Sequence, residues 1–257
     1  MEVNPLNIKV SIITVTFNAD KTIGDTIRSV LNQSYQDIEY ILVDGASIDN
    51  TINIIQSFAD SDQRIMWISE IDNGLYDAMN KGIKMATGDF VGILNADDFF
   101  SSNDVIASVV DAFKENSEID AIYGDVQFIS PNNLKKVIRK YSSSIFRPSL
   151  FRWGFMPAHP TFYCRRELFE RFGYYRLDFK IAADYELLVR FIYVNKIKIK
   201  NLKKTLVLMR VGGKSTQSFM STTIINIEII KACKQNGIYT NPLMLYCRYF
   251  YKIKEFV

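Results

Sequence analysis

Cysteine and histidine are scarce in this 257-residue chain, and their scarcity removes several kinds of chemistry. Three widely spaced cysteines, Cys164, Cys233 and Cys247, supply neither a disulfide framework nor a Cys-x-x-Cys metal or redox site, and they fit a reducing, cytosolic compartment. A single histidine, His159, cannot build a histidine metal cluster. No run of about 18 apolar residues occurs, and no charged-then-apolar leader precedes Ile8, so a membrane span and a signal peptide are not expected. A large excess of charge of either sign is missing too. With 31 basic against 28 acidic residues, bulk charge gives no argument for a nucleic-acid partner.

Glycine-rich phosphate loops are also absent. Neither the G-x-G-x-x-G nor the P-loop spacing is present; Gly213-Lys214-Ser215 ends like a P-loop, but the earlier glycine would fall on Leu208. This weakens dinucleotide and ATPase readings.

What the chain does have is a hydrophobic content of 48%, enough for a sizeable core, and an alternation of two periods over its first hundred residues. Val10–Val15, Tyr40–Val43, Ile65–Ile68 and Asp89–Leu94 read as buried strands. Between them, Ile23, Ile27, Val30 and Leu31 mark one helical stripe, Thr51–Phe58 a second helix, and Leu75, Met79, Ile83 and Ala86 a third. Strands alternating with helices predict right-handed crossovers and a mostly parallel sheet flanked by helices, an α/β fold. Ligands of such sheets sit beyond the carboxyl ends of the strands. The residues there are Thr16-Phe17-Asn18, Asp44-Gly45-Ala46-Ser47, Glu70-Ile71-Asp72-Asn73-Gly74 and Asn95-Ala96-Asp97-Asp98. Further on, 121–124, 126–129 and 205–209 read as strands, 131–133 as a turn, and 184–194 and 218–234 as helices.

Asp97 and Asp98 are adjacent carboxylates that converge only if the chain leaves the strand there. Such a pair suits a hard divalent cation, Mg²⁺ or Mn²⁺, shared with substrate phosphates; the competing reading is an acidic turn facing water. Asp44 reads either as an acceptor for a base or ribose or as a turn aspartate.

Four ordered blocks carry a resemblance: Val10–Asn18, Val43–Thr51, Asp72–Gly82 and Asn95–Asp98. Together they resemble the family 2 glycosyltransferases, in particular the bacterial branch assembling capsule, exopolysaccharide and O-antigen, over about residues 8–215. The resemblance implies a GT-A fold, a nucleotide-diphosphate sugar donor, most simply a UDP-sugar, and an inverting single displacement. It implies that Asp44 holds the base, that Asp97 binds ribose and the metal-bridged diphosphate, and that Asp98 ligates the metal. Thr16, Asn18, Asp72 and Asn73 join the nucleotide-binding set. Asp184, in Ile181-Ala182-Ala183-Asp184-Tyr185-Glu186, becomes the general base, with Glu186 as runner-up and a helix N-cap as the plainer role. Weaker donor or acceptor contacts fall to Lys81, Asn95, His159 and Lys214. Two departures stand out: Gly45 occupies a place where a second aspartate is frequent, and Asn95 replaces a frequent aspartate.

The expected organisation is one continuous domain with a nucleotide-sugar half at 8–100 and an acceptor and catalytic half at 101–217. A helical segment at 218–257 follows. Its tail mixes Lys231, Lys234, Arg248, Lys252 and Lys254 with aromatics, and reads as a membrane-surface helix or a helix docked on the core. The expected acceptor is a lipid-linked saccharide at the cytoplasmic face of a bacterial inner membrane. Competing readings are a nucleotidyltransferase and a non-catalytic nucleotide- or saccharide-binding module.

Overall fold

The computed structural model describes residues 8–211 and 219–252. Lys214 and the glycines before it lie outside the described residues. The four expected strands form β1 (Val10–Thr16), β2 (Ile38–Asp44), β3 (Ile65–Ser69) and β4 (Phe90–Ile93). They pair in parallel in the order β3-β2-β1-β4. Every residue of β1, β2 and β4 is buried, as strands covered on both faces require. Helices α1 (Ile23–Leu31), α2 (Thr51–Ala59) and α3 (Leu75–Met85) make the crossovers. The α3 stripe is buried at Met79, Ile83 and Ala86, whereas Leu75 is exposed because it stands in the first turn, beyond the end of the sheet. Helix α3 lies close on the strands because Gly82 lacks a side chain: a Cβ there would sit 2.5 Å from Ile13.

Beyond β4 the sheet continues through β5 (Phe99–Phe100), β6 (Ala121–Ser130), β7 (Asn133–Tyr141), β8 (Tyr163–Arg165) and β9 (Ile199–Arg210), giving nine strands among the described residues. Antiparallel β8 joins β4 to β6, β9 runs parallel to β6, and β5 runs antiparallel to β9. The segments 121–124 and 126–129 are one strand rather than two, with register shifts around Asp125. The turn at 131–133 leads into β7, a strand absent from the sequence reading because its run, NLKKVIRKY, is mostly polar. Helices α4 (Val105–Glu115), α5 (Glu167–Phe172), α6 (Ala183–Leu188), α7 (Phe219–Gln235) and α8 (Pro242–Lys252) complete the described chain. The expected helix at 184–194 changes pitch at Val189, where a π-helical turn, Val189–Val194, replaces α-helix.

Two apolar clusters lie on opposite faces of the sheet, one around Ile13, Ile41 and Leu187, the other around Ile12, Leu42 and Val109. Among the described residues no helix is long and apolar enough to cross a membrane. Helix α8 docks by Leu245 and Arg248 and leaves Leu243 and Tyr246 exposed. Arg248 is therefore not part of a basic surface: it is buried, with its guanidinium donating to Gly154 O and Asn226 Oδ1.

Candidate active site

The ends of the parallel strands gather polar side chains into one region. At the end of β1 and β2, Asp44 is fully buried. Its carboxylate accepts the Ser47 backbone N–H at 2.8 Å, the Ser47 hydroxyl at 2.5 Å and the Ser69 hydroxyl at 2.7 Å. Ser47 also receives the Asn18 N–H, and Asn18 Oδ1 receives the Ile48 N–H. Asn18 and Ala46 both adopt left-handed backbone, φ 50° and 60°, which folds these two loops onto each other. Asp44 is thus a turn aspartate whose acceptor capacity is largely taken by its own chain. Thr16 Oγ1 is buried beside it without a partner among the described residues.

The β4 end builds the acidic corner. Asn95 to Asp98 is a turn closed by the Asp98 N–H on Asn95 O at 3.1 Å. Helix α1 holds it in place, since the buried Thr26 hydroxyl reaches both Ala96 O and Asp98 O. Asp98 is fully buried, so it does not face water. Its Oδ2 accepts the Asn95 amide at 2.9 Å, while its Oδ1 has no partner among the described residues. An aspartate at position 95 would repel that carboxylate; the asparagine supports it. Burial pushes the Asp98 carboxyl well above its ordinary range, with the charge of Asp97 adding to the effect. Burial raises Asp97 as well.

The cation that the sequence reading overlooked is Arg210, at the end of β9. Its guanidinium donates to Asp97 O at 3.2 Å, pairs with Asp25 of α1 at 2.5 Å and lies over the Phe99 ring. Its charge offsets part of the repulsion at Asp97 and Asp98.

A second group of residues forms around Asp184, in the first turn of α6. The cap position is Ala182, so Asp184 does not cap the helix. Its Oδ1 accepts the Tyr185 N–H at 2.8 Å and lies 3.3 Å from the Tyr76 hydroxyl. Burial raises its carboxyl above the ordinary aspartate value of 3.8, with nearby His159 acting in the opposite direction. His159 is buried, its Nε2 is 2.7 Å from the Tyr175 hydroxyl, and burial lowers its pKa. Helix α3 connects the two regions. Its N-terminus follows Asp72-Asn73-Gly74, its Tyr76 reaches Asp184 and Ile181 O, and its Asn80 clamps the backbone of Tyr175 at 2.8 and 2.9 Å. Glu228 of α7 accepts the backbone N–H groups of Lys180, Ile181 and Ala182, fixing the segment that leads into Asp184.

Other expected contacts are engaged elsewhere. Lys81 pairs with Glu70 at 2.8 Å and donates to Ile71 O, strapping the β3–α3 loop. Glu186 is buried and faces Arg190 at 2.9 Å, so it lacks the open acceptor position a base needs. Asn73 is exposed, and its backbone N–H donates to Asp77.

Asp97 and Asp98 are two acidic side chains, not a cage, and among the described residues no group of three or more His, Cys, Asp or Glu side chains could hold a metal. The orphaned oxygen of Asp98 fits a cation that completes its shell with waters and ligand phosphates, as Mg²⁺ and Mn²⁺ do.

With this geometry in view, the glycosyl transferase family 2 signature matches residues 11–173. The chain belongs to that family. A PGL/p-HBAD biosynthesis glycosyltransferase of Mycobacterium tuberculosis is 32% identical over 192 residues, covering 70% of this chain and 68% of its own length. A glycosyltransferase of Haemophilus influenzae is 39% identical over 95 residues, covering 37% of this chain and 38% of its own. Solved structures with the same fold include S. aureus TarS 1-349 in complex with UDP-GlcNAc, with TM-score 0.65 and 18% identity. That match covers 87% of this chain and 67% of the other. The mannosyltransferase PcManGT of Pyrobaculum calidifontis in complex with GDP-Man and Mn²⁺ has TM-score 0.70 and 18% identity, covering 96% of this chain and 70% of the other. These likenesses show the GT-A fold that the resemblance to family 2 implied. The family 2 chain spans only 40% of a longer TarS chain.

Proposed function

We propose that this family 2 chain transfers a sugar from a nucleotide-diphosphate donor, a UDP-sugar, to a lipid-linked saccharide with inversion at the anomeric carbon. The observation that carries the reading is the buried Asp98 carboxylate, half satisfied by Asn95 and half unpartnered, beside Asp97 at the carboxyl end of β4. A desolvated carboxylate beside a second one either keeps a proton or is neutralised by a cation, and Arg210 offsets the charge here only in part, which leaves room for a metal ion. Asp98 and Asp97 would hold Mg²⁺ or Mn²⁺, which when bound would stabilise the negative charge of the departing diphosphate. The structural neighbours, one in complex with UDP-GlcNAc and one with GDP-Man and Mn²⁺, support a nucleotide-sugar donor.

The chain's own residues do the rest. Asp184 takes the proton of the acceptor hydroxyl as its oxygen bonds to the anomeric carbon and the bond from that carbon to the diphosphate oxygen breaks. A carboxyl raised by burial is a stronger base than an exposed aspartate, which suits that step. Tyr76 and the Glu228-held segment fix its direction. His159 stays neutral behind Tyr175 and lines the acceptor side. Asp44 holds the base-side loop through Ser47 and Ser69, and Thr16, Asn18, Asp72 and Asn73 surround the nucleoside. We assign residues 8–100 to the donor and 101–217 to the acceptor.

The mycobacterial relatives are named for PGL/p-HBAD biosynthesis, so a place in capsule, exopolysaccharide or O-antigen assembly is our reading of the resemblance alone. Exposed Leu243 and Tyr246 on α8 support peripheral contact with the inner face of the bacterial inner membrane. A nucleotidyltransferase is disfavoured by the missing glycine-rich loop after β1. Incubating the protein with Mn²⁺ and a panel of nucleotide sugars should release free nucleotide slowly from one of them by hydrolysis. Tight binding with no release from any donor, even with acceptor extracts added, would favour a non-catalytic module.

A further inference from the structure

The base-side loop has a vacancy and a neighbour that fills it. Position 45 carries no side chain, and a Cβ built there would lie 2.6 Å from Asp72 Oδ2 and 3.5 Å from the Phe17 ring. Gly45 does not have left-handed backbone, so its conformation does not demand glycine. Only the Asp72 carboxylate excludes a side chain, since 3.5 Å from Phe17 is ordinary contact. Asp72 arrives from the β3–α3 loop, where its Oδ1 accepts the Gly74 N–H at 2.8 Å. Its Oδ2 takes no hydrogen bond among the described residues. Phe17, at the tip of β1, is half exposed.

We infer that Asp72, reaching over Gly45, supplies the carboxylate oxygen that reads the nucleobase, and that Phe17 provides the face on which the base stacks. The inference rests on the donor reading given above and adds base identity to it. Asp44 is excluded from the part because it is fully buried and already accepts three hydrogen bonds. Asp72 offers one open oxygen, its other being held by Gly74. A single carboxylate acceptor matches a single ring N–H, which uracil presents at N3. Cytosine has a bare acceptor at N3 and would repel it. Guanine offers two adjacent donors, which a carboxylate with both oxygens open would grip better than this one.

Calorimetric titration of UDP, CDP and GDP, each with Mn²⁺, tests this, with inorganic pyrophosphate as the base-free probe. The unmodified protein should bind UDP best. Asp72→Ala should weaken UDP by about tenfold or more, the loss of a hydrogen bond to a charged group, and erase the preference over CDP. Pyrophosphate should bind the variant as before, which separates base reading from unfolding. The double variant Asp72→Ala/Gly45→Asp returns a carboxylate to the vacated space and should restore the preference. Unchanged UDP affinity and selectivity in Asp72→Ala, or tighter GDP than UDP in the unmodified protein, would overturn the inference while leaving a nucleotide-sugar transferase standing. No binding of any of the nucleotides by the unmodified protein would instead overturn the donor reading itself, and the inference with it.

Discussion

Glu39→Gln should destabilise the protein without touching nucleotide binding. Glu39 is buried at the second position of β2, where its Oε1 accepts the Thr87 hydroxyl at 2.6 Å and the Lys9 ammonium at 3.1 Å. Its Oε2 accepts the Ser11 hydroxyl at 2.6 Å and the Thr87 N–H at 2.8 Å. These donors join β1, β2 and the turn before β4, and they hold the carboxyl down from 4.5 to about 2 even though burial acts the other way. At 1.36 kcal/mol per pKa unit, that difference corresponds to about 3 kcal/mol of folding stability at neutral pH. A glutamine cannot substitute, because whichever oxygen becomes an amide nitrogen meets a group that only donates, the Thr87 N–H or the Lys9 ammonium. For a chain of this size the loss lowers Tm by roughly 6–12 °C. Because the folded pKa lies below the unfolded one, the stabilisation is complete above pH 4.5 and is lost as pH falls through about 2. Chemical denaturation of both proteins from pH 7 to pH 2.5 should show the gap narrowing with acid. Ser11 stands five residues before Thr16, roughly 16 Å along the strand, so UDP affinity should not change. A Tm within 1–2 °C of the parent, on the order of experimental scatter, or a gap that widens on acidification, would refute the reasoning.

Asp184→Asn should leave the donor dissociation constant within about twofold and lower kcat by roughly 10²–10⁴, the usual worth of a positioned base; weakened donor binding would count against that division of labour. In the unmodified enzyme, turnover should fall as acid protonates Asp184, with a midpoint above the ordinary 3.8 because burial raises it. Arg210→Gln should lower the melting temperature of the ligand-free protein more than that of the Mn²⁺–UDP complex, because the bound cation takes over part of the neutralisation at Asp97 and Asp98. Equal losses in both states would show that Arg210 serves only to tie β9 to α1.

The parallel half of the fold was legible because period and burial coincide there: β1, β2 and β4 are buried on both faces, and α1 and α3 bury regular stripes. Strand ends in such a sheet converge, so the positions of Asp44, Asp72 and Asp98 could be inferred without coordinates. The antiparallel half was less legible. Strand β8 has only three residues, β7 is mostly exposed, and Gly124-Asp125 interrupts the apolar run of β6 that pairing with β9 carries through. Partners distant in sequence were invisible for the same reason. Arg210 meets Asp97 across 113 residues, and Glu228 meets the Asp184 segment across 46 to 48. Gly45 was visible as a departure, but not the carboxylate that fills its space, since that depends on how the β3–α3 loop folds back.

The most direct test of the account is a crystal of the protein soaked with UDP and Mn²⁺ and measured at the manganese absorption edge. An anomalous peak between the UDP diphosphate and Asp98, with Oδ1 as a direct ligand, is the predicted result. A nucleotide bound elsewhere, or one bound at the β4 end with no metal beside Asp97 and Asp98, would contradict it.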